Sequence, residues 1–139
     1  MLKPLSHVSP NASYRVGDVD DDPLTQRPKL AVMAMQVIAS WSLVEIRLTE
    51  VFVSLLGGLD NNGSIAYLAI TSRHAKANMI TAIAKKKLSK ENFALLSAIQ
   101  KLIELSAKER SKIAHCEWGY SHDLPDAILL KDPKKMCQK

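Results

Sequence analysis

The sequence predicts an all-α fold: an up-and-down helical bundle with two long helices, two shorter ones and an irregular C-terminal tail. Three observations predict it. The 139-residue chain is 47% apolar but only 5% aromatic, and Ala, Leu, Ile and Met dominate its middle, which suits a helical core better than a β-sandwich. Apolar residues recur at spacings of three and four over two long stretches, and turn-forming residues separate them. A chain of this length buries about two thirds of its unfolded surface in one core, so a single helical domain over residues 24–139 is expected, behind an irregular arm over 1–23.

The arm holds three prolines and the acidic run DVDDD, residues 18–22, with no period of 2 or 3.6. Pro28 then suits a first helical position, because its fixed φ is helical and its missing N–H would have no partner there. From it the chain runs without a breaker to Gly57-Gly58, with Ile38, Trp41, Leu48, Phe52 and Leu55 on one side. GGLDNNG reads as a loop, and Ser64 as the N-cap of a short helix through Leu68 and Ile70. Residues 73–88 give a third helix, with Ala75, Met79, Ile80 and Ile83 on one side. Lys76 also lies on it, and Lys85, Lys86 and Lys87 near its end, where cations favour the dipole. Ser89 caps the second long helix, Lys90 to about His115, whose expected buried stripe is Leu96, Ile99, Ile103, Ser106, Arg110 and Ile113 or Ala114. After Gly119 the tail contains Pro125 and the apolar run 127–130, consistent with a loop and a short strand or hairpin packed on the helices.

The net charge of +5 is unevenly placed. Residues 73–112 carry ten Lys or Arg against three Glu. A basic segment of this kind suits a polyanion such as RNA, because neutralising phosphates supplies affinity without regard to sequence; the alternative is a solvated lysine face. Two cysteines, Cys116 and Cys137, argue against a disulfide framework and for a reducing compartment. The most apolar window, LAVMAMQVIASWSLV, contains Gln36, Ser40 and Ser42 and soon meets Glu45 and Arg47, so no clean membrane span is expected, and no secretory signal precedes it. A cytoplasmic protein is the expectation.

One position on the second long helix conflicts with its surroundings. Arg110 falls on the apolar stripe, and a charge withdrawn from water must be paired or hydrogen-bonded. Glu45 is similarly placed on the first long helix, so a structural Glu45–Arg110 pair is one reading. The other starts from His115. Five residues separate it from Arg110, which sets the two side chains roughly 140° apart and about 7.5 Å along the axis of an ideal helix. One helix does not aim both at one atom, but two copies related by a two-fold axis can line one cleft with both pairs.

The spacing Arg110-x4-His115, within ERSKIAHCEW at a helix end, resembles the Arg-x(4 to 6)-His motif of the HEPN (higher eukaryotes and prokaryotes nucleotide-binding) superfamily. The following CEWGYSHDLPDAILLKDP is similar to the aromatic-Gly, Pro and Asp-Pro tail of some bacterial members, and the resemblance covers roughly residues 30 to 133. Ser111 stands where members often carry Asn, Asp or His, and its hydroxyl can still hydrogen-bond.

The resemblance implies a homodimeric, metal-independent endoribonuclease, a hydrolase of the toxin or phage-defence type, with RNA as substrate and a cognate antitoxin as a further partner. His115 would then handle the proton of the ribose 2′-hydroxyl or of the leaving oxygen, and Arg110 would stabilise the phosphorane charge. Ser111 and Lys112 would assist, and Glu45 would orient Arg110 or tune His115. Lys85, Lys86 and Lys87, with Trp118 and Tyr120, would contact RNA. The family also includes inactive members, so a catalytically silent binding module is the alternative, as is a structural helical regulator. No cofactor is implied. A zinc site from His115, Cys116, His122 and Cys137 lacks a C-x2-C pair, so no metal is expected.

Overall fold

In the computed structural model, residues 7, 9, 11–16, 22–58 and 61–132 are described, and over these the chain is mostly helical. The helices are α1 (Pro23–Gln26), α2 (Pro28–Leu56), α3 (Asn61–Ala69), α4 (Arg73–Lys87) and α5 (Lys90–His115); three short strands are β1 (Arg15–Val16), β2 (Glu117–Tyr120) and β3 (Leu129–Lys131). The all-α expectation holds. Cys137 and residues 18–21 of the acidic run lie outside the described residues.

Local chemistry sets the helix limits. Pro28 opens α2, and Gly57 follows its last residue at φ 80°, a left-handed backbone that a side chain would strain. Asp22 caps α1, Ser72 caps α4 by accepting from the Ala75 N–H at 3.3 Å, and Ser89 accepts from the Asn92 N–H at 3.2 Å at the start of α5. Ser64 is not a cap, because α3 begins three residues earlier, at Asn61. The next glycine has a packing role instead: a Cβ on Gly63 would meet the Val53 side chain at 3.3 Å, so its absence lets α3 approach α2.

The chain divides into two compact units, residues 40–105 and residues 1–39 with 106–139, so α2 and α5 each contribute to both. The unit 40–105 is built round Phe52, Leu55, Tyr67, Ile80 and Ala84, with Leu48, Val51, Ile83, Leu88, Phe93 and Leu96 packed against them. The Phe52 and Tyr67 rings lie 5.0 Å apart in a tilted contact. Gln100 ties α5 to α4: its amide donates to the Ala77 carbonyl at 3.2 Å and its oxygen accepts from the Thr81 hydroxyl at 3.0 Å.

The other unit carries an antiparallel sheet in the order β1-β2-β3. Trp118 pairs with Leu130 in the β2–β3 hairpin, and Arg15 pairs with Tyr120 across β1–β2. The tail, expected to be irregular with at most a short strand or hairpin, supplies β3 against the unexpected strand β2, and part of the arm expected to be irregular is a strand. Arg27, between α1 and α2, donates to the Ser121 carbonyl at 3.0 Å and lies 5.8 Å above the Tyr120 ring. The Ser13 N–H and hydroxyl both donate to Asp123, which ties the arm to the loop after β2.

Two helix faces depart from expectation. On α5 the packed side runs through Phe93, Leu96, Ile103, Ala107 and Arg110, whereas Ile99 and Ser106 are exposed. The spacings 96–99 and 103–106 advance about 300°, which carries Ile99 and Ser106 off the side that Leu96 and Ile103 share with Ala107. Leu95, Ile99, Leu102 and Leu105 thus form a second apolar stripe that faces solvent, with Leu102 at 63% exposure. On α2 the expected inner side of Ile38, Trp41, Leu48, Phe52 and Leu55 is the packed one, but Val32, Met35, Leu43 and Ile46 are apolar and exposed. By length and composition alone α2 is sufficient to cross a bilayer, although Gln36, Ser40 and Ser42 interrupt its apolar run and Glu45 and Arg47 follow it.

Candidate functional site

The residues singled out in sequence fall into two groups. Arg110, Ser111, Lys112, His115, Trp118 and Tyr120 belong to one unit, and Glu45, Lys85, Lys86 and Lys87 to the other.

The first group gathers at the end of α5. His115 is its last residue and is exposed, and Lys112 shares its final turn, where positive charge complements the helix dipole. Arg110 is half-buried. Its Nε is shut off from water without a hydrogen-bond partner, and no ion pair involving Arg110 occurs among the described residues. A guanidinium so placed has lost hydration at one nitrogen without protein compensation, which favours any anion that comes within reach. The neighbouring Glu109 directs Oε1 to Lys112 at 3.0 Å and leaves Oε2 buried without a hydrogen bond. Ser111 is exposed.

The residues after the helix have structural duties. The Trp118 indole N–H donates to the Ile113 carbonyl at 2.9 Å and so satisfies one of the last acceptors of α5. Tyr120 is 1% exposed beneath Arg27 and edge-on to His122 at 5.2 Å, so it offers no ring face to a base and leaves the set of RNA-contacting residues. Cys116, between helix and strand, is a free thiol. Burial, and then the Asp132 carboxylate, push its pKa up while Lys112 opposes them, which keeps it a poor nucleophile at neutral pH.

In the second group, Lys85, Lys86 and Lys87 are exposed in the last turn of α4, available to a phosphate backbone. Glu45 is not paired with Arg110: its Oε2 bonds the Lys76 ammonium at 3.3 Å. That pair belongs to a cleft of about 420 Å³ lined by residues of α2 to α5, including Tyr67, Arg73, Lys76, Gln100, Lys101 and Glu104. Lys76 is only 14% exposed and its ammonium lies 4.8 Å from the centre of the Tyr67 ring. Tyr67 is 0% exposed, its hydroxyl has no hydrogen-bond partner, and burial, reinforced by Glu45, pushes its pKa up to about 12.

This cleft is not legible as a site in the sequence. Lys76 read as one more lysine of a basic helix and Tyr67 as part of a short helix; the signal was an i, i+3 pair, Arg73 and Lys76, on the side of α4 that also carries Ile80. Among the described residues no three His, Cys, Asp or Glu side chains converge as a metal site requires. No family model, curated protein or solved structure matches this chain.

Proposed function

We propose that the chain is a metal-independent endoribonuclease of HEPN type, a cytoplasmic homodimer acting as a toxin or defence effector. The observation that carries this reading is Arg110, a guanidinium half-buried near the exposed end of α5 with a desolvated Nε that has no hydrogen-bond partner and with no ion pair among the described residues, five residues before an exposed histidine. A guanidinium in that state suits a phosphate oxygen better than it suits a folded core.

In the proposed reaction, one His115 accepts the proton of the ribose 2′-hydroxyl as its oxygen attacks phosphorus. The P–O5′ bond breaks, and the departing oxygen takes a proton from an imidazolium. Arg110 donates to the non-bridging oxygens as charge builds on them. Because Arg110 and His115 diverge round one helix, the reading places the two His115 side chains of a dimer on either side of the scissile phosphate. Lys112, although paired with Glu109, adds positive potential, and the exposed Lys85, Lys86 and Lys87 are read as RNA-backbone contacts in their own right.

Mixed RNA incubated with wild type and with His115→Ala tests this. Loss of cleavage by about 10²- to 10⁴-fold in the variant is expected, while it stays folded, because an exposed helix-end residue contributes little packing. Equal cleavage by both would remove His115 from the chemistry.

A second reading has its own support. The exposed stripe Leu95, Ile99, Leu102 and Leu105 is larger than a solvated helix face needs, and it favours a protein partner whether or not RNA is cut. In that reading the chain is a binding module and an antitoxin or similar protein covers the stripe.

A further inference from the structure

The cleft in the unit 40–105 has no part in the proposed cleavage, yet it is built like a site. Its charges do not balance: Arg73, Lys76 and Lys101 face Glu45 and Glu104, which leaves an excess of one cation. One of its lining residues, Tyr67, carries an unsatisfied donor. The Tyr67 hydroxyl is buried without a partner, and since its pKa is pushed up to about 12 it keeps its proton at neutral pH. Unpaired buried polar groups are uncommon in folded proteins and call for a cause.

The walls are mixed. Leu48, Ile80 and Ile103 supply apolar surface, and Gln100 and Thr81 are already bonded to each other at 3.0 Å, which holds the polar wall in place. A volume of about 420 Å³ lies within the range of small-molecule sites, roughly 300–1,000 Å³. A few convergent polar groups within a partly apolar cavity are the usual arrangement of such sites.

We propose that this cleft binds a small organic oxyanion, a carboxylate or a phosphate monoester, whose charged oxygens are taken by Lys76 and Lys101 and whose body rests on Leu48, Ile80 and Ile103. The Lys76 ammonium is the pivot. It is held by one bond to Glu45 at 3.3 Å and by the Tyr67 ring, and it has donors to spare for a ligand. The Tyr67 hydroxyl is closed to water as the cleft stands, so the ligand reaches it as Lys76 swings from the ring toward the anion. The ligand then accepts from both.

Calorimetric titration of the full chain with inorganic phosphate, adenosine monophosphate and succinate tests this, with melting temperature as a second readout. At least one is expected to bind saturably and raise the melting temperature. Binding of phosphate and the nucleotide but not succinate assigns a phosphate monoester, and the converse a carboxylate. Tyr67→Phe, which keeps the ring against Phe52 and Lys76, should weaken binding about 10-fold, as loss of one hydrogen bond to a charged group does. Lys101→Ala, an exposed position with little bearing on folding, should weaken it as well. The inference is overturned if none of the three compounds binds saturably, or if both variants bind as wild type. Binding that vanishes in His115→Ala but survives Tyr67→Phe would place the ligand at the end of α5 and overturn it too.

Discussion

Arg110 and Tyr67 each leave a buried polar atom without a partner, and each marks a place where the fold accepts a local penalty of about 1–3 kcal/mol. For Arg110 this sets an expectation about stability. Glu45 is bonded to Lys76, so Arg110→Ala strands no carboxylate on α2 and should unfold within about 1 kcal/mol of wild type in urea, while losing cleavage. A loss of about 3–5 kcal/mol would instead mark Arg110 as half of a buried pair. For Tyr67 the expectation concerns pH. Its pKa in the folded chain is raised from 10.0 to about 12, so the unfolded chain gives up its phenolic proton first. The unfolded state then binds fewer protons, and the stability tied to this group is complete below pH 10 and drains away as pH rises toward 12. Tyr67→Phe should lessen that alkaline loss, seen as a flatter dependence of the urea midpoint between pH 9 and 11.

Among the elements, helix limits were legible in sequence wherever one residue type dictates them. Pro28, Ser89 and Gly57 act through their own backbone or side-chain chemistry, so α2 and α5 start or stop where these residues stand. Faces were legible only in part. On α5, apolar residues occur on two sides, and periodicity alone does not say which side meets the core; Leu96 and Ile103 go inward, Ile99 does not. The outward stripe predicts association. Leu102→Glu should leave the monomer folded, since Leu102 is exposed, and should abolish dimerisation in light scattering at micromolar concentration. A wild type that is monomeric throughout that range would assign the stripe to another partner. On α4 the exposed triplet predicts a salt effect: Lys85, Lys86 and Lys87 changed together to Gln should flatten the dependence of RNA affinity on salt, by up to about 0.7 in slope per lost phosphate contact. An unchanged slope would return the three lysines to ordinary solvation.

In the molecule as a whole, the mostly helical fold followed from composition and period, and a short strand in the tail from its apolar run, whereas its partner β2 was not legible. Burial and pairing did not follow, because they depend on contacts remote in sequence. Tyr120 looked like an aromatic beside a motif, but it is buried, with Arg27 from 93 residues earlier lying over its ring and its strand paired with β1. Glu45 looked like a counter-ion for Arg110, but Lys76 is its partner and makes it part of a separate cleft. Two places are thus proposed to carry chemistry: the arginine and histidine at the end of α5, and a basic cleft with an unsatisfied tyrosine.

The proposed cleavage of RNA at the end of α5, through the ribose hydroxyl and without a metal, leaves its signature in the products. End-group analysis of RNA treated with the pure protein in excess EDTA tests it most directly. Fragments ending in 2′,3′-cyclic phosphate and 5′-hydroxyl are expected, formed at an undiminished rate, because in the proposed reaction the attacking oxygen belongs to the substrate and no metal-bound water takes part. Intact RNA under these conditions, or fragments carrying 5′-phosphate and 3′-hydroxyl, would contradict it.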